Sequence, residues 1–125
     1  MKALFALITL FTLSNTYASV EGKVKVLDAH YDAASDSVNI SAEISGICDS
    51  EASVRLRGCT DFLFPNTCFL DVNAVGESCD EVTTIHMSYS RDELNMKSRR
   101  FSDATLLVQN NKGKTRKSVR LPINR

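Results

Sequence analysis

The sequence predicts an all-β protein: a small antiparallel β-sandwich of about seven strands, stabilised by disulfides. Two observations carry this expectation. Apolar and polar residues alternate with period two along most of the chain, the pattern of strands with one buried face. Four cysteines, Cys48, Cys59, Cys68 and Cys79, follow an N-terminus that reads as a secretory signal, a setting in which cysteines form structural disulfides.

Residues 1–18 carry the signal. Lys2 gives a positive start, and Ala3 to Leu13 is an apolar run broken only by threonines. Thr16-Tyr17-Ala18 places small residues at the two positions a signal peptidase reads, so cleavage is expected after Ala18. The run is about half of the roughly twenty residues a membrane-spanning helix needs. No later segment is apolar enough to span. The expected product, residues 19–125, is a single exported domain, periplasmic or secreted, long enough to bury one core.

The strands follow in order. Val24 and Val26 share one face, but Leu27, Ala29 and Tyr31 take the opposite phase, which predicts a bulge or bend within the first strand. Asp32 to Ser37 is turn chemistry. Val38, Ile40, Ala42 and Ile44 then alternate with Asn39, Ser41, Glu43 and Ser45. Ala52, Val54 and Leu56 alternate with Ser53, Arg55 and Arg57 in a third strand. Cys68, Leu70, Val72 and Ala74 form the apolar face of a fourth, and Ile85, Met87 and Tyr89 that of a fifth. Ser90-Arg91-Asp92-Glu93 is a capping box, predicting one helical turn before the sixth strand. Ala104 to Gln109 is a more continuous apolar run, as a central strand requires. Asn110-Asn111-Lys112-Gly113 reads as a hairpin turn, and Thr115 to Leu121 as the last strand, ended by Pro122.

Seven strands at this spacing, the helical turn before the sixth, and the final Ala104–Leu121 hairpin together resemble an immunoglobulin-like or fibronectin-like domain. The resemblance implies a fold, without functional residues. The chain has no Trp, and no Tyr stands two positions before a cysteine.

Four cysteines allow three pairings. Loop closure favours Cys59–Cys68, which leaves Cys48–Cys79. These nested pairs are concentric about the Leu63–Phe64 bond, as one antiparallel hairpin requires. Cys59, however, falls on the polar face with Arg55 and Arg57, whereas Cys68 falls on the apolar face with Leu70 and Val72. Nested pairing therefore needs a bulge near the loop, or strands in different sheets. The rival is Cys48–Cys59 with Cys68–Cys79. No two cysteines have the close spacing of a redox dithiol or a zinc site, so their expected role is structural.

Nothing in the chain forms a catalytic motif, a cofactor fingerprint or a metal signature. His86 is placed outward between Thr84 and Ser88, His30 ends the kinked first strand, and no nucleophile elbow accompanies them. The expected mode of action is binding rather than catalysis, without a cofactor, to another protein or a cell-envelope component and not to nucleic acid. Two regions are candidates. Phe62, Leu63, Phe64 and Pro65 are apolar residues in a turn-like loop between Cys59 and Cys68. A closed loop of this kind suits an inhibitor of an extracellular or periplasmic hydrolase, a protease or lysozyme, because rigid aromatic anchors lose little entropy on binding. The alternative is that Phe62 and Phe64 plug an open end of the sandwich.

The second candidate comes from charge. The formal net charge is zero, yet from Arg91 onward there are ten bases against three acids. Arg99, Arg100, Lys112, Lys114 and Arg116, with Arg91, Lys97, Lys117 and Arg120, are candidates to bind a polyanion or a cell surface. The same charges also suit an edge strand that must not pair with its neighbours. Asn39-Ile40-Ser41 matches a glycosylation sequon, of consequence only in a eukaryotic secretory pathway.

Overall fold

The computed structural model describes residues 19–60 and 66–123. The signal segment and the Phe62–Pro65 loop lie outside the described residues. The described chain is nearly all β, with six strands in one sheet. The strands are β1 (Val20–Glu21), β2 (Lys23–Asp32), β3 (Ser37–Cys59), β4 (Thr67–Ser90), β5 (Thr105–Asn110) and β6 (Lys117–Arg120). A 3₁₀ turn, Arg99–Phe101, precedes β5. The sheet order is β2-β3-β4-β5-β6, with β1 added to β4.

The count differs from seven because two fusions remove two strands and the short β1, which was not expected, adds one. The expected second and third strands are one strand, β3, and the expected fourth and fifth are one strand, β4. Gly46, Cys48-Asp49-Ser50 and Gly76-Glu77 look like breaks in the sequence, but they are ladder irregularities inside a long hairpin. Gly46 and Asp49 take positive φ, 86° and 49°. Between Ser45↔Val82 and Ile47↔Ser78, β4 carries the extra residues. Between Cys48↔Glu77 and Glu51↔Val75, and again at Arg57, β3 carries them. Such bulges bend and twist a strand. Here they split the hairpin into two arms, and β2 lies beside one arm while β5 and β6 lie beside the other.

The expectation of a wholly antiparallel architecture needs one correction: β4 and β5 pair in parallel, from Thr67↔Thr105 to Val72↔Asn110. A parallel neighbour demands a long crossover. Residues 91–104 supply it, opening with the predicted capping box. Ser90 N donates to Glu93 Oε1 (2.9 Å) and Glu93 N donates to Ser90 Oγ (3.1 Å). Leu94 N then donates to Ser90 O, closing one helical turn. Leu94, Met96 and Phe101 bury their side chains on the way.

One core joins both arms. Val24, Val26 and Ala29 of β2 and Val38, Ile40, Ala42 and Ile44 of β3 cluster with Cys68, Leu70, Val72 and Ala74 of β4 and with Leu106, Val108 and Val119. In β2, β3 and β4 these core residues stand on faces the alternation assigned as apolar, whereas Ala52, Val54 and Leu56 are half-buried and Asp71, assigned to a polar face, is buried. The register of β2 slips between Val26 and Asp28, so Leu27 bulges out, 38% exposed, and Ala29 returns to the core. The sheet also curls until its ends meet. Val26 N donates to Thr115 Oγ1, and Asn110 Nδ2 donates to Val24 O, both at 3.0 Å.

Both disulfides are the nested ones, Cys48–Cys79 and Cys59–Cys68. Cys59 faces Cys68 directly, and the slip at Arg57 lets Cys59 turn to the face of Cys68. Cys48 instead faces Glu77, and its disulfide reaches diagonally to Cys79. The concentric arrangement thus holds for Cys59–Cys68 and for Ser37–Ser45 against Val82–Ser90, while the ladder between them slips and recovers.

Candidate functional site

Two surfaces stand out: an unpaired strand edge and a polar cleft. The edge follows from the uneven partnering of β4. Its outer side is covered by β5 from Thr67 to Val72 and by β1 at Val75 and Gly76. From Ser78 to Ser90 no strand among the described residues pairs with that side. An open strand edge presents a row of N–H and C=O groups able to template another strand.

The other edges are guarded. Exposed Lys23, Lys25, Asp28 and His30 line β2, which also carries the Leu27 bulge. β6 is four residues long and carries Lys117 and Arg120. Short length, charge and bulges are the usual means of blocking edge pairing. From Val82 to Ser90 the β4 edge has none of them; Asp80, Glu81 and the bulge at residues 79–81 lie just before that stretch. Val82-Thr83-Thr84-Ile85-His86-Met87-Ser88-Tyr89-Ser90 contains no Lys, Arg, Asp, Glu, Pro or Gly. Its branched and aromatic residues favour extended backbone. Val82 is 62% exposed, and Ile85, Met87 and Tyr89 are half-buried against the rim of the core. On the outer face Ser41 Oγ lies 2.8 Å from His86 Nδ1. No carboxylate among the described residues contacts that histidine. His30 Nδ1 instead meets Asp28 Oδ2 at 3.3 Å.

The cleft lies on the face of β3, β4 and β5 turned away from the core. Ser53, Arg55, Arg57, Asp71, Asn73 and Asn111 line about 350 Å³. Arg57 Nε bonds Asp71 Oδ2 at 2.9 Å, and Gln109 Nε2 donates to Asp71 Oδ1 at 3.0 Å. Arg116 Nε donates to Gln109 Oε1 at 2.7 Å while its guanidinium lies 5.6 Å from the centre of the Phe69 ring. Asn111 Nδ2 donates to Asn73 Oδ1 at 3.2 Å. The network links β3, β4, β5 and the residue before β6, and its polar groups largely satisfy one another.

The candidate basic residues fall at the two ends of β5, with Lys117 and Arg120 of β6 alongside the strand between them. Arg99 and Arg100 are exposed on the 3₁₀ turn, before the start of β5. Lys112, Lys114 and Arg116 follow its end. Six residues of strand put about 20 Å between the two groups. Arg100 stacks on Phe101 at 5.0 Å, and its carbonyl accepts a 2.8 Å hydrogen bond from buried Asn66. The turn therefore sits beside the Cys59–Cys68 closure. That closure is reinforced by Thr60 N donating to Thr67 O at 2.9 Å and Thr67 N donating to Thr60 Oγ1 at 3.2 Å.

The nearest approach to a metal-donor cluster among the described residues is Cys48, Cys79 and Glu81. Its two sulfurs are bonded to each other and offer no thiolate. Asp36 sits beside the edge, in the turn between β2 and β3. The Tyr31 hydroxyl donates to it and the Arg91 guanidinium adds a 2.8 Å bond, and these hold its carboxyl below the usual carboxylate range. The same contact with Asp36 raises the Tyr31 hydroxyl. Arg91 is thereby fixed at the end of β4.

Sequence reasoning identified the face of Ile85, Met87 and Tyr89 but not its open edge. The signal was the nine-residue stretch without charge. The Asp71–Gln109 pair was also missed, because Gln109 reads as the end of an apolar run. The chain matches no protein-family model, no curated protein and no solved structure. The two disulfides are compatible with an oxidising, exported location. No helix among the described residues is long and apolar enough to cross a membrane.

Proposed function

We propose that this protein is a small exported domain that acts by binding another protein, and that it does so by strand addition at the Val82–Ser90 edge. The observation that carries the reading is the contrast between edges: β2 and β6 are blocked by charge, bulge and shortness, whereas nine consecutive uncharged residues of β4 are left open. Strand addition takes affinity from main-chain hydrogen bonds and specificity from alternate side chains. The uncharged edge selects an uncharged extended segment. The fold belonging to this reading is a β-sandwich of immunoglobulin-like or fibronectin-like type, supported by the curled sheet and its single core. The signal in residues 1–18 and the disulfides support a periplasmic or secreted location.

The test is a lysine-tailed nine-residue peptide alternating valine and threonine. Added to the oxidised protein, it is expected to slow exchange of the Val82–Ser90 amides turned away from β3 at least about tenfold and to leave β2 and β6 unchanged. Binding that protects another strand, or no binding, overturns the reading.

The clamped Cys59–Cys68 closure supports a second reading, inhibition of a hydrolase through Phe62–Pro65. Phe64→Ala is then expected to abolish inhibition without unfolding the domain.

A further inference from the structure

We propose that the strand occupying the β4 edge is the same strand of a second copy of this chain, giving a two-fold symmetric dimer with a continuous sheet. The inference rests on the strand-addition reading and names its partner.

The argument is one of self-complementarity. A two-fold axis perpendicular to a sheet keeps each face on its own side. Residues that meet across it must then share a face, so odd positions face odd and even face even. With the axis through His86, Ile85 of one copy meets Met87 of the other, and Thr83 meets Tyr89. Ile85, Met87 and Tyr89 are the half-buried residues on the rim of the core. Pairing them continues the apolar face across the junction. On the outer face Thr84 meets Ser88 and exposed Val82 meets Ser90, while His86 meets its own copy. Aromatic, branched and hydroxyl cross-strand pairs each add a few tenths of a kcal/mol, and like charges directly opposite subtract. No charged residue falls between Val82 and Ser90, so no register within this stretch sets like charges against each other.

The β2 and β6 edges fail the same test. Self-pairing of β2 has to run across its bulge, and its charges penalise every register that brings Lys23 and Lys25 together. β6 offers only four residues, two of them cationic. The β4 edge offers nine residues, about 30 Å of ladder. A contact of this kind is at the small end of specific interfaces, so the dimer is expected to dissociate on dilution.

Sedimentation equilibrium of the purified, oxidised protein, run from about 1 µM to about 1 mM, tests the proposal. The mass is expected to double across the series. Thr84→Lys with His86→Lys places cations on the exposed face of the edge without touching the core. That variant is expected to stay monomeric with an unchanged β-sheet circular dichroism spectrum. His86→Cys checks the register: only an axis near residue 86 lets two such chains form an intermolecular disulfide under mild oxidation, and Thr84→Cys is expected not to. A monomer at every concentration overturns the proposal, and so does a dimer indifferent to the lysines. A monomer in which the Val82–Ser90 amides turned away from β3 are already protected places a segment of its own chain on the edge and also overturns it. If the valine–threonine peptide binds the edge while the chain stays monomeric, the dimer fails and strand addition to a different protein stands. If neither occurs, both readings fail.

Discussion

Gln109 donates a 3.0 Å hydrogen bond to Asp71 on the face of the sheet opposite the hydrophobic core, and both side chains are buried there. Arg57 and Arg116 shield the pair, one bonding the carboxylate and the other the amide oxygen. A buried polar group that loses its partner pays the desolvation cost in full. Asp71→Ala leaves Gln109 Nε2 without an acceptor and Arg57 without its carboxylate, so it is expected to lower stability by about 2–3 kcal/mol. Adding Gln109→Leu removes the orphaned amide. Urea titrations of the single and double variants are expected to show less loss in the double than the two single losses combined. Strict additivity would show that the two side chains do not act as a unit.

The two disulfides are unequal. Cys48–Cys79 closes a separation of 31 residues and Cys59–Cys68 one of 9. In the chain-entropy account the longer loop contributes about 3–4 kcal/mol and the shorter about 2–3. Geometry points the same way. Cys48–Cys79 spans the stretch where the β3–β4 ladder slips, whereas Cys59–Cys68 joins residues already facing in register. Denaturation midpoints are expected to fall further for Cys48→Ala with Cys79→Ala than for Cys59→Ala with Cys68→Ala. The reverse order would mean that the buried Cys68 packs more stability into the core than the loop contributes.

Much of this arrangement was legible in the residues, and what was not has a common cause. Alternation located the faces because burial acts residue by residue along a strand. The phase change at Leu27 pointed to a bulge or a bend, and it is a bulge because the core on both sides of it constrains the register. Chain distance and the concentric spacing favoured the nested pairing, but the face mismatch between Cys59 and Cys68 left its rival open. By contrast, the fusion of four expected strands into β3 and β4 depends on whether Gly46 and Gly76 turn the chain or merely kink it. That is settled by the partner strand and not by local chemistry. The parallel β4–β5 pair depends on where the crossover lands. The open edge depends on β5 pairing with the first half of β4 and stopping at Val72. Each of these is a property of strand neighbours, which a single alternating segment does not encode.

Acid sensitivity is expected at Asp36. Its carboxyl titrates lower in the folded protein than an ordinary aspartate because Tyr31 and Arg91 bond the ionised form. A depressed folded value means stability that is present above the unfolded value, about 4, and lost as the pH falls through the folded value. Asp36→Asn removes that contribution. The wild-type advantage over the variant is therefore expected to be constant above about pH 5 and to shrink below about pH 4. Glu93 and Asp103, also held low by hydrogen bonds, are common to both proteins and cancel. The advantage is expected to be about 1 kcal/mol, since the side chain of Asp36 is 37% exposed and solvent screens the pair. Urea titrations at a series of pH values measure it; an advantage that grows on acidification would reverse the assigned sign.

Two glycines of the β3–β4 hairpin are expected to respond oppositely to alanine. At Gly76 a Cβ would lie 2.5 Å from the Cys48 carbonyl oxygen and 3.3 Å from Ser50 Cα. Both obstacles are backbone beside the Cys48–Cys79 disulfide, and the β1 contact at Val20↔Gly76 holds Gly76 itself in place. Neither can swing aside as a flexible side chain would. Gly76→Ala must therefore move a strand, at a cost of about 1–3 kcal/mol. At Gly58 a Cβ meets nothing within 4 Å, and φ there is not in the left-handed region. Gly58→Ala reduces the freedom of the unfolded chain without straining the folded one, a gain of about 0.5 kcal/mol. In a domain of this size 1 kcal/mol corresponds to about 4–8 °C in Tm. Thermal melts are thus expected to place Gly76→Ala several degrees below the wild type and Gly58→Ala slightly above it. A Gly76→Ala protein that melts with the wild type would mean that the kink between the two arms of the hairpin is free to open.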